Sequence, residues 1–142
     1  MSQNLILFPV FVQVLLTYVV LGLMIQARAK SRAEYGQTPQ DMAVAPDQDW
    51  NLPALKVSNN YENLFELPVL FYAVTAFALI TRQVDVWMLG LAWAFVVARI
   101  AHSVLHIGRN IVLWRGTAFA FGAAILMLMW LLLFWRVAAA GF

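Results

Sequence analysis

The sequence predicts an all-α integral membrane four-helix bundle, and three observations support this fold class. Hydrophobic residues make up 63% of the 142 residues and charged residues 11%, whereas soluble domains average about 45–50% and about 25%. Four apolar runs each reach the ~20 residues that a helix needs to cross a membrane. None of these runs alternates polar and apolar residues, which favours helices over strands. We therefore expect one transmembrane domain over residues 1–142.

The first apolar run, residues 5–27, is predicted to be a retained transmembrane helix. The segment before it, Met-Ser-Gln-Asn, has no basic residue, and no small-residue cleavage site follows the run as a secretory signal would require. Residues 28–57 then form a long polar connection that contains several prolines.

The second and third spans are predicted at residues 58–81 and 86–107. Because residues 82–85 leave room for a tight turn, these two helices should be antiparallel neighbours. A short basic link, residues 108–115, leads to the fourth span at residues 116–137.

Basic residues predict how the bundle is oriented. Loops of a membrane protein that are rich in Lys and Arg usually face the cytoplasm. Connections 28–57 and 108–115 should therefore be cytoplasmic, with both termini outside. The basic residues on that side are Arg28, Lys30, Arg32, Lys56, Arg109 and Arg115.

Two of the predicted spans carry polar side chains at helical spacing. The second has Asn59, Glu62, Asn63 and Glu66 on one face, and the third has Arg99, His102, His106 and Arg109. One Arg near the bilayer centre costs about 2.5–3.5 kcal/mol on insertion scales, so these faces should point into the bundle, a subunit interface or a wet cavity.

Depth along the helices predicts a buried ion pair. Glu66 should lie ~12 Å and Arg99 ~13 Å from the cytoplasmic surface at 1.5 Å per residue. Equal depth on adjacent antiparallel helices favours a Glu66–Arg99 pair that fixes the register of the two helices.

More polar groups gather here than one ion pair needs, which predicts a pocket for a small anionic ligand. Arg109 has an equally good interpretation as a topogenic residue of a cytoplasmic flank. His102 and His106 are spaced to bind a metal, but the arginines would repel a cation, so we expect none. The residues of the predicted pocket are Arg28, Asn59, Asn63, His102, His106, Arg109 and Arg115.

Composition excludes several other functions. The sequence has no cysteine, so it offers no disulfide, no thiolate metal ligand and no protein thiol nucleophile. Its net charge of +2 is weak and spread along the chain, so we expect no nucleic-acid partner.

Two motifs resemble those of the membrane-associated proteins in eicosanoid and glutathione metabolism, the MAPEG family. The first is Asn63-Leu-Phe-Glu66 followed by Pro68, and the second runs from Arg99 to Arg109 and continues to Arg115. The likeness is greatest to bacterial members and to microsomal prostaglandin E synthase. It implies a homotrimer in the bacterial inner membrane, with glutathione bound between neighbouring subunits.

The resemblance also implies roles for individual residues. Arg28, Asn63 and Glu66 match residues that hold glutathione, Arg99 a structural or ligand-facing arginine, and His102 a ligand-contacting histidine. Arg115 matches the arginine thought to stabilise the thiolate, so it is the predicted catalytic residue. The sequence departs from the family pattern at four positions, namely Asn59 in place of arginine, His106 and Phe119 in place of tyrosine, and Gly116 in place of serine. We expect Asn59, His106 and Arg109 to complete the glutathione site.

The resemblance implies a glutathione-dependent membrane transferase or peroxidase whose hydrophobic electrophile enters from the lipid phase. One alternative is a non-enzymatic protein of the same fold that binds a lipid, a quinone or a protein partner. A third hypothesis is a proton or ion carrier that uses Glu66, His102 and His106. This hypothesis is weak, because many transporters consist of two repeated halves and this sequence shows no internal repeat.

Overall fold

The computed structural model describes residues 2–38 and 50–140, and every regular element in them is helical. A short 3-10 turn, Gln3–Ile6, leads into the helices, which are α1 (Leu7–Tyr35), α2 (Leu52–Asn63), α3 (Leu67–Ile80), α4 (Val86–Ile107) and α5 (Val112–Ala140). In this described part, four helical segments are long and apolar enough to cross a membrane, with α2 and α3 together forming the second. The predicted all-α fold with four spans is confirmed.

The helix boundaries differ from the predicted ones where polar sequence continues a helix. The third span was predicted at 86–107 and α4 has those bounds, whereas α1 continues to Tyr35 instead of ending near residue 27. Helix-favouring residues such as Ala, Arg, Lys and Glu follow the apolar run, so nothing stops the helix until Gly36. Gly36 adopts a left-handed conformation (φ 63°) and its N–H bonds to the Arg32 carbonyl, as at many helix ends.

The second span begins earlier than predicted. Helix α2 starts at Leu52 rather than at residue 58, because Asn51 caps it by accepting a 3.1 Å hydrogen bond from the Ala54 N–H. The predicted connection 28–57 is therefore shorter, and its residues 39–49 lie outside the described part of the chain.

Helix α5 begins at Val112, not at the predicted residue 116. Arg115 consequently belongs to the first turn of a helix rather than to the connecting link. A helical backbone restricts where this arginine can direct its side chain, which matters for the site described below.

The second span is broken rather than only kinked. Pro68 has no N–H to donate to the Leu64 carbonyl, and α2 ends at Asn63 while α3 begins at Leu67. A 3.0 Å hydrogen bond from the Leu64 N–H to the Tyr61 carbonyl closes the last turn of α2. The break leaves the Asn63 carbonyl available to a partner outside its own helix.

A hydrophobic core holds α3, α4 and α5 together. Phe71 and Phe95 are fully buried and their rings stack with centroids 4.6 Å apart. Met88 and Met129 fill the same core from α4 and α5. Large apolar side chains such as Phe11, Trp87 and Phe134 are exposed on the outer faces, as expected of surfaces that contact lipid.

The end of the bundle that carries the α3–α4 turn is fixed by an ion pair. Asp85 caps α4 by accepting a 2.9 Å hydrogen bond from the Met88 N–H, and its carboxylate also pairs with Arg136 of α5. The hydrogen bond from Arg136 holds the pKa of Asp85 below its ordinary value. Gln3 exchanges two hydrogen bonds with the backbone of Val84, which ties the start of the chain to this turn.

Candidate functional site

The opposite end of the bundle, which we call the basic end, contains a fully buried arginine. Arg99 has no exposed surface, and its Nη2 donates a 2.8 Å hydrogen bond to the Asn63 carbonyl that the helix break leaves available. Its guanidinium carbon lies 5.6 Å from the centre of the Phe119 ring. The Nε and Nη1 atoms of Arg99 are buried and have no hydrogen-bond partner among the described residues.

The predicted ion pair between Glu66 and Arg99 is wrong. In the described part of the chain the side-chain salt bridge is Asp85–Arg136, and Glu66 is exposed. The depth argument assumed an uninterrupted helix, but Glu66 lies in the break before α3. A backbone carbonyl takes the place of the expected carboxylate partner, so no ion pair within the described part of the chain neutralises the charge of Arg99.

Arg115 is held by three neighbours. Its Nη1 donates to His106 Nε2 at 2.9 Å and to Asn110 Oδ1 at 2.7 Å. Its backbone carbonyl accepts a 3.0 Å hydrogen bond from His102 Nδ1. Because residues four apart share a face of a helix, His102 and His106 reach the first turn of α5 together. Both side chains are buried.

Asn110 was not among the predicted site residues. It adopts a left-handed conformation (φ 52°) in the α4–α5 link, and its N–H donates to the Leu105 carbonyl at 2.9 Å. Asparagine tolerates this conformation better than most residues do. The sequence did offer a signal for this residue. Asn110 lies in a short link a few residues before Arg115, where an asparagine often adopts a left-handed turn conformation.

These side chains surround a cavity of about 220 Å³ at the basic end. Next to Arg115, a Cβ on Gly116 would meet no described atom within 4 Å from outside its own stretch of helix, so the site has room there. A cation, amide groups and imidazoles suit a ligand with carboxylates, because cations form strong bonds to such anions. The residues that line this cavity are Asn63, His102, His106, Arg115, Gly116 and Phe119.

Four of the predicted site residues lie elsewhere in the single chain. Arg28 donates to the Ser58 hydroxyl at 3.0 Å and stacks over the Trp50 ring at 4.9 Å. Asn59 and Glu66 of the second span are exposed, although Glu66 is near enough for its charge to act on Arg99. Arg109 is also exposed and lines a separate apolar groove with Trp114. None of these four lines the 220 Å³ cavity.

His102 and His106 each use one ring nitrogen to contact Arg115, which leaves that nitrogen unavailable to the metal that their spacing could bind. A cation at this point would meet the guanidinium that His106 already binds. Over the described residues, no three His, Asp or Glu side chains come together in a group able to hold a metal.

A second, mostly apolar cleft of about 370 Å³ lies beside the break in the second span. Leu64 lines this cleft, and Asn63, its neighbour in sequence, lines the cavity next to Arg115. The end of α2 therefore stands between the two spaces. The lining of the cleft comprises Val14, Thr17, Tyr18, Leu21, Tyr61, Leu64, Phe65 and Tyr72.

Fold and site together define a multi-pass, helical integral membrane protein with a cationic cavity at one end of its bundle. The chain belongs to the MAPEG family, whose family model matches residues 6–135. That range includes every residue of the cavity and all but the outermost residues of the first and fourth spans, so the resemblance seen in the two sequence motifs is confirmed. No curated protein and no solved structure matches the chain.

Proposed function

We propose that this protein is a glutathione-dependent membrane transferase or peroxidase that acts on hydrophobic electrophiles. The observation that carries the proposal is the cavity in which Arg115 lies beside Asn63 and two histidines, in a chain of the MAPEG family. This family includes glutathione-dependent transferases and peroxidases. Glutathione supplies the thiol that the protein lacks, since the sequence contains no cysteine.

The chemistry assigned to Arg115 is electrostatic. A free thiol has a pKa of about 8.5, and nearby cations increase the fraction present as thiolate at neutral pH. Arginine keeps its proton in proteins, so Arg115 is not a general base but stabilises the thiolate once the proton has left. The thiolate then attacks an electrophilic carbon and forms a C–S bond while the leaving group departs.

Peroxide reduction uses the same thiolate. Attack on a peroxide oxygen breaks the O–O bond, transfers a hydroxyl group to sulfur and releases an alcohol after protonation. A second glutathione then displaces that hydroxyl group as water and forms glutathione disulfide. Conjugation and peroxide reduction therefore require the same site and differ in the second substrate.

The polar residues outside the cavity fit a site shared between subunits. In a homotrimer, the exposed Asn59 and Glu66 of one subunit would face glutathione together with Arg28 or Arg109 of its neighbour. Glutathione has two carboxylates for arginines and an ammonium group for Glu66. Binding of the glutathione ammonium group would offset the cost of an exposed Glu66 at the break in the second span.

The second substrate enters from the lipid phase. The 370 Å³ cleft is mainly apolar, and exposed Tyr18 and Phe65 form part of its rim. Its position across the end of α2 from the cavity brings an apolar molecule near the proposed thiolate. The basic end faces the cytoplasm of the bacterial cell in this proposal, because positively charged flanks usually do.

Thermal unfolding of the detergent-purified protein tests glutathione binding. A ligand that binds the native state at 100 times its Kd stabilises it by about 2.7 kcal/mol, so glutathione should raise the Tm by several degrees. S-methylglutathione keeps the carboxylates but has no thiol, and it should give a similar shift without supporting turnover. An unchanged Tm at millimolar glutathione would contradict the proposal.

The Arg115→Ala variant tests the chemical step. Loss of one electrostatic stabiliser usually lowers kcat by about 10²–10³-fold, so conjugation of an aromatic halide should nearly stop while glutathione still raises the Tm. Arg82→Gln is the matched control, since Arg82 is exposed at the opposite end of the bundle. Turnover at the wild-type rate in Arg115→Ala would remove this residue from the mechanism.

The apolar cleft supports a second candidate, a non-enzymatic protein that binds a lipid or quinone. In that case a quinone would raise the Tm, whereas glutathione would leave it unchanged.

A further inference from the structure

We propose that His106 and Asn110 are positioning residues that orient the Arg115 guanidinium for the thiolate. This inference rests on the function proposed above. Both N–H groups of Arg115 Nη1 are used within the protein, one by His106 Nε2 at 2.9 Å and one by Asn110 Oδ1 at 2.7 Å. We call these two acceptors and Arg115 the arginine cradle.

The hydrogen bonds of the cradle fix the protonation of His106. A guanidinium has five N–H donors and no acceptor, so His106 Nε2 must be the unprotonated nitrogen. The proton of neutral His106 is then on Nδ1, which is buried and has no partner among the described residues. Doubly protonated His106 would place an N–H against the Arg115 N–H and could not hold it.

His102 holds the same residue through the backbone. The Arg115 carbonyl can accept but not donate, so His102 must carry its proton on Nδ1 to make the 3.0 Å bond. The backbone of Arg115 is thus attached to α4 at one point and its side chain at another. A rigid attachment at two points aims a side chain more precisely than the first turn of a helix alone would.

The cradle decides which part of Arg115 is left for a ligand. With Nη1 fully used, the N–H groups of Nη2 and Nε remain, and no described residue accepts from them. Arg115 and its neighbour Gly116 both line the cavity in which a ligand would bind. A guanidinium presented in a fixed orientation stabilises a thiolate without having to reorganise when the charge forms.

Asn110 contributes through its backbone as well as its side chain. Its left-handed conformation turns the α4–α5 link so that Oδ1 meets Arg115 five residues later. Glycine adopts the same conformation without strain. The Asn110→Gly variant therefore removes the acceptor and keeps the turn, which separates the two contributions.

Nitrogen-15 NMR of the histidine rings tests the geometry without any ligand. The chain has two histidines, so the spectrum of the labelled protein contains four ring nitrogens. We expect both rings to be neutral with the proton on Nδ1. A proton on Nε2 of His106, or a doubly protonated His106 ring at neutral pH, would overturn the cradle.

Variants of His106 test its effect on the bound thiol. In His106→Leu, we expect the pH midpoint of the thiolate absorbance of bound glutathione to rise by about one unit, which is the size of a typical effect of one nearby group. The kcat should fall by up to about 10-fold at neutral pH, in proportion to the thiolate fraction, while the KM for glutathione changes less than about twofold. His106→Gln supplies an oxygen acceptor at similar reach and should restore most of both values.

Asn110→Gly should shift the thiolate midpoint in the same direction by a smaller amount. If His106→Leu and Asn110→Gly lower the Tm but leave the thiolate midpoint at the wild-type value, the two residues are merely structural and the inference fails. If the wild-type protein binds no glutathione, the proposed function fails. The NMR of the histidine rings still shows in that case whether the arginine cradle exists.

Discussion

Arg99 has no ion-pair partner among residues 2–38 and 50–140, and this leads to a quantitative prediction about its replacement by methionine. In Arg99→Met the protein without ligand loses one charged hydrogen bond to the Asn63 carbonyl, worth about 1.5–3 kcal/mol. It also loses the contact with the Phe119 ring, worth about 0.5–2 kcal/mol. These losses together come to about 2–5 kcal/mol.

The same substitution removes an opposing cost. The Nε and Nη1 groups of Arg99 are buried without partners, and each such group costs about 1–3 kcal/mol or more because it is charged. Methionine fills a similar volume with apolar atoms, so little packing is lost. The gains and losses nearly cancel, and we expect the free energy of unfolding to change by less than about 2 kcal/mol.

The assay is reversible unfolding in detergent for Arg99→Met, Glu66→Gln and the double variant. Among the described residues Glu66 is exposed and makes no salt bridge, and it acts on Arg99 only as a charge at longer range, so the coupling energy between the two positions should stay below about 1 kcal/mol. Removing one partner of a true buried ion pair costs about 3–5 kcal/mol. Losses of that size in both single variants, with no further loss in the double variant, would restore the Glu66–Arg99 pair and refute our description of the site.

Two further predictions concern the ends of the helices. Because the hydrogen bond from Arg136 lowers the pKa of Asp85 below 3.8, the ionised form stabilises the fold at neutral pH, and this stabilisation is lost as the pH falls through and below that value. Asp85→Asn keeps the cap of α4, so its Tm at neutral pH should fall by the equivalent of about 0.2–1 kcal/mol, with a smaller further decrease at acid pH than in wild type. The Asp85 side chain is 43% exposed, which keeps the effect small. Equal acid sensitivity of both proteins would contradict this. The second prediction concerns Gly108, where a Cβ would stand 2.9 Å from the Val104 carbonyl oxygen. Gly108→Ala should therefore lower the free energy of unfolding by about 1–3 kcal/mol. Gly122→Ala should be neutral or stabilising by up to about 1 kcal/mol, since its nearest new contact is 3.7 Å. Thermal unfolding of the two variants in one detergent compares them, and the reverse order would show that α5 packs more tightly on α4 than described.

The spans were predictable because hydrocarbon allows few alternatives. Every backbone polar group in a span must be paired within the segment, so a long apolar run is a helix whatever it packs against. Helix α4 accordingly has the predicted bounds, 86–107. The predicted helix ends were wrong where the helix continues beyond the apolar run, as at Tyr35 and Leu52. Helix propensity and capping residues determine those ends.

The site was predictable to the level of residue types but not of partners. Four predicted residues, Asn63, His102, His106 and Arg115, do line one cavity. Helical spacing placed Asn63 on the polar face of the second span and His102 and His106 on that of the third, which is a local property. Arg115 was predicted from the basic link and from the family motif. The partner of Arg99 was mistaken, because Pro68 breaks the second span and changes which group of α2 faces α4.

Four membrane-spanning helices, and polar residues on one face of two of them, could be read from the sequence because periodicity and composition act over a few turns of one helix. The resemblance to the MAPEG family came instead from two motifs, Asn63 to Pro68 and Arg99 to Arg115. The packing of the helices had to be known before the partners could be assigned: a carbonyl rather than Glu66 binds Arg99, and His106 and Asn110 hold Arg115. The reason is that a hydrogen bond between helices depends on distances of a few tenths of an ångström, which helix breaks and links set and spacing does not encode.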